Sequence, residues 1–250
     1  MLEVFSDTLQ PEREPEMRMS FLVLLESLCK NYVLHDALKG KADGDGNESH
    51  MGTILRKMVL PNLIWKPGRV AAKLRKATCT VLLTVAVSEL ATPEDYIGVS
   101  DKLFPPLLSA LDDDYEASTR ALVCKLFKYV FVTLRGYLSE DICRTLYADL
   151  LKRLDDNSDD IRIDAAGALS ELLPSVPLPE GVAIIEYTAQ TCLIHLDDTN
   201  EDIRMAVYPT LQVAANLCPS IVRKKAEEAM KRQRKAGAAL SEALLAGMKS

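Results

Sequence analysis

The sequence predicts an all-α fold: a right-handed α-solenoid of four to five helical hairpins, closed by a C-terminal capping helix. Three observations predict it. A phrase recurs almost unchanged, as Pro106-Leu107-Leu108-Ser109-Ala110-Leu111-Asp112-Asp113, then Asp149-Leu150-Leu151-Lys152-Arg153-Leu154-Asp155-Asp156, then Thr191-Cys192-Leu193-Ile194-His195-Leu196-Asp197-Asp198. Each Leu-Asp-Asp is followed eight or nine residues later by an arginine, and these arginines, Arg120, Arg162 and Arg204, stand 42 residues apart. Strand signals are missing, and glycine is low at 11 of 250 residues. A period near 40 residues is the length of one helix–turn–helix repeat. Such arrays bury a continuous core between neighbours and leave one long surface for partners.

The chain is read as a single array with repeats at about 1–38, 52–91, 92–137, 139–174 and 179–218. Met1 to Leu9 reads as half of a hairpin with no polar cap before it, as if the chain began inside a longer array or were a short form of one. Arg18 precedes Arg75 by 57 residues, 12 more than the 45 that separate Arg75 from Arg120. The 12 polar residues from Lys39 to His50 account for the excess and read as a disordered insertion between repeats. Pro61 precedes Pro106 by the same 45 residues, which makes 52–91 a repeat. Trp65, in Ile64-Trp65-Lys66-Pro67, reads as a plug at a repeat junction.

The next repeat opens with Thr92-Pro93-Glu94-Asp95, a cap followed by proline at the first helical position. Pro105 and Pro106 should bend or interrupt its first helix, since proline lacks the amide donor. In the following repeat Ser139, with Glu140 and Asp141, opens one helix, and Ser158, with Asp159 and Asp160, opens the second; acceptors and negative charge suit exposed amides there. The second helix carries the apolar stripe Ile161, Ala165, Ala168, Leu169 and Leu172, whose alanines let neighbouring helices approach closely. In the last repeat Pro209 should kink the second helix. A basic helix over 219–248 follows, held on the last repeat by Leu240 and Leu244.

Charge and composition narrow the function. The net charge is −6. A nucleic-acid binder needs a basic surface to neutralise phosphates, so the balance argues against nucleic acid, although the basic run 223–235 could be a docking strip for an acidic partner or RNA. The six cysteines contain no Cys-x-x-Cys pair and fall in apolar runs, as expected of small buried hydrophobes in a reducing compartment. The N-terminus has no signal-peptide pattern, and the longest uncharged apolar run, Ala77 to Ser88, is too short to span a bilayer. The expected setting is soluble and cytoplasmic.

No catalytic constellation emerges. Counting a calcium loop from Asp155 or from Asp43 leaves the sixth position without glycine and the twelfth without glutamate. Paired carboxylates can serve acid–base chemistry, but here they recur at every turn, as structural residues do. The three histidines form no His-x-x-x-His pair and no His-Glu dipeptide, and there is no phosphate-binding glycine loop or nucleophile elbow. The chain reads as a non-enzyme without metal or cofactor.

Leu-Leu-x-x-Leu-Asp-Asp, followed by an arginine and small apolar residues, resembles the HEAT repeat. The resemblance implies a ladder between adjacent repeats built from Asp113, Asp156 and Asp198 with Arg120, Arg162 and Arg204. Arg75 would join, but its own repeat has Trp65-Lys66-Pro67-Gly68 where the acidic turn should stand. The segments Leu111 to Arg120 and Leu154 to Arg162, with the basic terminal helix, are similar to the C-terminal part of the dynein axonemal assembly factor five family. That resemblance implies a cytoplasmic scaffold for preassembly of axonemal dynein arms, with dynein intermediate or heavy chains and chaperones as partners. The alternative is a generic protein-binding adaptor, such as a phosphatase or transport scaffold. Second-helix positions off the apolar stripe should line the concave face, which makes Lys125, Lys128, Asp164, Glu171, Gln212 and Asn216 the candidate protein-binding residues.

Overall fold

The computed structural model describes residues 6–40, 49–64, 66–113 and 116–248, and among these it contains helices, short 3-10 and π turns and loops, with no strand. The chain divides into two compact units, Met1–Thr133 and Leu134–Ser250.

In the first unit three long helices lie side by side. Helix α1 (Pro15–Cys29) opens with proline at its first position, where the missing amide costs nothing. Helices α2 (His35–Lys39) and α3 (His50–Ile54) are short. Ser49 caps α3, its Oγ accepting from the Gly52 amide at 2.8 Å and donating to the Asp95 carboxylate at 2.7 Å. The His50 amide donates to the Gly40 carbonyl at 2.8 Å. Both ends of the insertion expected to be disordered over 39–50 are therefore tied into the fold. Its remainder, 41–48, lies outside the described residues, as does Trp65.

Helix α4 (Arg69–Val87) packs on α1 and on α7 (Ala117–Thr133), burying Cys79, Leu82 and Val85. Between α4 and α7 come α5 (Pro93–Ile97) and α6 (Ser100–Leu111). Thr92 and Asp95 form a reciprocal cap at α5, each side chain accepting the other's backbone amide. Phe104 of α6 meets Phe127 of α7, which stacks on Phe131 with centroids 5.2 Å apart.

The expected interruption at Pro105 and Pro106 does not occur, because α6 runs through both. The carbonyls they fail to bond, four residues back, belong to Asp101 and Lys102, which are exposed and can turn to solvent. The break in this segment falls earlier, between α5 and α6.

The second unit is a regular two-layer stack. Helices α8 (Glu140–Lys152), α10 (Val182–His195) and α12 (Pro219–Met230) form one layer; α9 (Asp159–Leu172), α11 (Glu201–Leu217) and α13 (Lys235–Gly247) form the other. Helices α9 and α11 approach closely over Ala165, Ala166 and Ala168, all fully buried. There the Thr210 hydroxyl donates to the Ala166 carbonyl at 2.9 Å. Helix α11 continues through Pro209.

The terminal segment, expected as one helix over 219–248, is instead a hairpin of α12 and α13. The chain turns at Lys231–Arg234, where Asp197 accepts the Arg234 amide at 2.8 Å and Gln233 reaches the Leu193 carbonyl at 2.9 Å. Gly237 then seats α13 against the Leu196–Asp197 turn: a Cβ there would lie 2.6 Å from Asp197 Oδ1 and 3.0 Å from the Leu196 carbonyl oxygen. Of the two leucines expected to hold this segment, Leu244 is buried and Leu240 half-buried.

Candidate functional site

The arginines that follow each turn share one arrangement. Each guanidinium donates to a main-chain carbonyl of the turn before its own helix: Arg18 to Pro11, Arg75 to Lys66, Arg120 to Asp113, Arg162 to Leu154, and Arg204 to Asp198, at 2.8–3.2 Å. These bonds close the end of the turn and satisfy carbonyls that the helix ends leave free. Arg18, Arg75 and Arg162 also reach forward to a polar side chain of the next hairpin. Arg18 Nε donates to Asn62 Oδ1 at 2.8 Å, Arg75 Nε to Asp113 Oδ2 at 3.0 Å, and Arg162 Nη2 to Asp198 Oδ2.

Burial separates these rungs. The Arg75 and Asp113 side chains are 2% and 0% exposed, and the guanidinium grips one carboxylate oxygen with both Nε and Nη2. The Arg162–Asp198 pair is 16% and 17% exposed and belongs to a wider cluster. His195 sits inside that cluster. Its Nδ1 lies 3.2 Å from Arg162 Nη2, which can only donate, so Nδ1 accepts and the ring proton sits on Nε2, 3.4 Å from Asp155 Oδ1. Burial lowers the imidazole pKa; Asp155 opposes this, Arg162 adds to it, and Asp198 opposes it. Burial pushes the Asp198 carboxyl up, but the Asn200 amide and Arg162 outweigh it and hold the carboxyl below the usual range.

The second aspartates share a further task. Asp156 Oδ1 accepts the Ser158 amide at 3.1 Å, and Asp198 Oδ1 accepts the Asn200 amide at 2.8 Å. Each shapes the turn two residues on. Ser158 precedes α9 without a side-chain cap of its own, so Asp156 takes over part of that role. The first aspartates differ: Asp155 faces His195, and Asp197 receives Arg234 of the terminal hairpin. Arg204 bonds only main-chain carbonyls, of Asp198 and Thr199, among the described residues.

The six candidate contact residues fall in both units and differ in exposure. Lys125 and Lys128 are exposed on α7 in the first unit. On α11 of the second unit Gln212 and Asn216 are exposed and line a groove of about 650 Å³ with Tyr208, Ala243 and Met248. Asp164 and Glu171 of α9 are half-buried, and Glu171 is bound to Arg135 at 2.7 Å.

Nucleophilic chemistry has little to draw on among the described residues. All six cysteines are free and buried. Burial pushes the thiols of Cys29, Cys79 and Cys192 up to about 12 and that of Cys143 to about 11, far from the thiolate a reactive cysteine needs. No group of three His, Cys, Asp or Glu side chains converges as metal ligands would, and no helix is long and apolar enough to cross a membrane, among the described residues.

Sequence reasoning missed two participants. Asn62 follows the proline of Leu60-Pro61-Asn62, outside the register of the acidic turns, so the repeat spacing does not point to it. His195 stands directly before the third Leu-Asp-Asp, but its neighbours in space come from the hairpin before.

No family model matches the chain. Among solved structures, the fold is similar to the designed armadillo repeat protein YIII(Dq)4CqI, with a TM-score of 0.64, 14% identity and full coverage of both chains. It is also similar to the designed armadillo repeat protein YIII(Dq.V1)4CPAF in complex with peptide (KR)4, with a TM-score of 0.65 and 13% identity over 99% of each chain. At these identities the likeness shows the fold, an array of armadillo- and HEAT-like helical repeats. Among curated proteins, the chain is 28% identical over 232 residues to dynein axonemal assembly factor 5 of Homo sapiens, covering 91% of this chain and 26% of that protein. The protein of the same name from Xenopus laevis is 28% identical over 218 residues, covering 86% of this chain and 25% of the relative. The chain thus has homologues among the dynein axonemal assembly factors and spans about a quarter of the length of the curated relatives it matches.

Proposed function

We propose that this chain is a non-enzymatic, cytoplasmic scaffold for the preassembly of axonemal dynein arms in motile cilium formation. It would hold dynein intermediate or heavy chains on its helical surface, beside chaperones, until the subunits join. The observation that carries this reading is the similarity to curated assembly factors across nine-tenths of the chain. The repeat fold supports it, because arrays of this kind leave an extended surface for partners. The use of the turn carboxylates in structural bonds supports a role without chemistry of its own.

Two exposed faces are offered to clients: Lys125 and Lys128 on α7, and Gln212 and Asn216 on α11. The peptide held by a designed armadillo neighbour favours segment binding as the mode, which a general adaptor would share. The test is binding of purified chain to purified axonemal dynein intermediate chain. Reversing Lys125 and Lys128 to glutamate should weaken binding by about tenfold, or about 1.4 kcal/mol, with helical content and melting midpoint unchanged. Undiminished binding would place the contact elsewhere. Failure of the unaltered chain to bind any dynein component would remove the dynein reading and leave the adaptor.

A further inference from the structure

The fold uses only part of the C-terminal basic run. Lys225 pairs with Glu186 at 2.9 Å, Arg234 pairs with Asp197 at 3.2 Å, and Arg223 donates to the Met248 carbonyl at 3.4 Å. Lys224, Lys231, Arg232 and Lys235 are exposed, and none lies within ion-pair distance of a carboxylate among the described residues. The free acids nearby are Glu227 and Glu228, so this surface is net positive on a chain whose overall charge is −6.

Beside these cations, α10 presents uncovered apolar side chains. Tyr187 is 58% exposed and Ile194 66%. Seven residues apart, they lie on one face about two turns, or roughly 10 Å, from each other. Between α10 and α12 runs a groove of about 520 Å³, walled by Gln190, Ile194, Glu228, Lys231 and Arg232 among others. An apolar centre with a charged rim is the anatomy of a protein interface, and here the free charge on the rim is mainly of one sign.

We propose that this groove docks an acidic amphipathic helix of a partner protein. Apolar side chains two turns apart on the partner would seat on Tyr187 and Ile194, while its carboxylates face Lys231 and Arg232. The spacing suits helix-in-groove recognition, in which anchors recur at i and i+7. A single-stranded RNA is the other polyanion to weigh, but it needs a series of stacking rings. This face offers one ring, Tyr187, and an aliphatic chain at Ile194, so the helix is favoured. The proposal goes beyond the scaffold reading and stands whether or not the client is a dynein subunit.

The test uses the full chain and a fluorescein-labelled helical peptide of about 18 residues, built from leucine, alanine and glutamate with the leucines on one face. A second peptide carries lysine in place of every glutamate, and a labelled oligouridylate serves as the RNA probe. The acidic peptide should bind about tenfold tighter than the lysine version, and more weakly as salt rises from about 50 to about 200 mM. The double variant Lys231→Glu/Arg232→Glu and the single variant Ile194→Asp should each weaken it by about tenfold. All three positions are exposed, so circular dichroism should be unchanged and the losses specific. Equal binding of the two peptides, no binding of the acidic one, or indifference to both variants would overturn the proposal. Tighter binding of oligouridylate than of the acidic peptide, lost in Lys231→Glu/Arg232→Glu, would replace it with a nucleic-acid site.

Discussion

Two rungs built from the same residue types at nearly the same spacing behave differently. In the first unit, the Arg75 and Asp113 side chains are sealed from solvent, and Arg75 also donates to the Lys66 carbonyl. In the second unit, Arg162 and Asp198 keep partial access to water and share their charge with Asp159, His195 and the Asn200 amide. A sealed pair contributes modestly while intact, since desolvation offsets most of its attraction, yet it is costly to break because one charge is left buried alone. The wetter cluster can rehydrate when a member is lost. The comparison teaches that rung spacing sets which residues meet, while the packing around them sets what each meeting is worth.

The largest expected effect therefore belongs to the sealed rung. Arg75→Ala removes the charged partner of the Asp113 carboxylate, which is at zero exposure, and should destabilise the first unit by about 3–5 kcal/mol, read as a lower urea midpoint. Replacing both partners by apolar residues of similar size, Arg75→Met with Asp113→Leu, should recover most of that loss; if the double change is as damaging as the single, the isolated-charge argument fails. Arg162→Ala should cost less, about 1.5–3 kcal/mol, because water reaches Asp198. A loss equal to that of Arg75→Ala would erase the distinction between the rungs.

Two smaller effects sharpen the second-unit side. Gly237→Ala places a methyl group against the backbone of the Leu196–Asp197 turn and should cost about 1–3 kcal/mol by displacing α13. A stability gain, as expected of alanine at an open helical site, would contradict that packing. His195 gives the second-unit cluster a pH dependence. Its folded pKa lies below its ordinary value near 6.5, so the unfolded chain takes up a proton first as pH falls. Stability should then decline below about pH 6.5, with a slope of at most about 1.4 kcal/mol per pH unit. Asp198 acts further down: its depressed pKa contributes stability above the ordinary carboxylate range and loses it as pH falls through the folded value. Urea midpoints at pH 7.5 and 5.5 should differ for the native chain and converge in His195→Gln. An unchanged gap in the variant would assign the dependence to other groups.

Much of the fold was legible because the repeat is a packing unit whose turn chemistry recurs. The helix starts at Ser139 and Thr92 follow from local capping, and the approach of α9 to α11 follows from the alanines at 165, 166 and 168. The missing acidic turn before Arg75 looked like a gap in the ladder, but the own-turn contact is to a main-chain carbonyl, which Lys66 supplies as well as any residue would. The terminal break was hidden because Asp197 and Gln233 make it through contacts across almost 40 residues rather than through a local glycine or proline signal. Whether Pro105 interrupts its helix depends on whether the freed carbonyls face solvent, which depends on packing. The candidate contacts were least legible: pattern alone does not show that Glu171 is engaged by Arg135 or that Tyr187 and Ile194 stand uncovered.

Whether the chain gathers dynein-arm components, as proposed, can be read from affinity purification of the tagged chain from multiciliated cells with quantitative mass spectrometry. Axonemal dynein intermediate and heavy chains should be co-enriched together with chaperones. Recovery of a phosphatase or a transport receptor in their place, with dynein chains at background, would contradict the proposal.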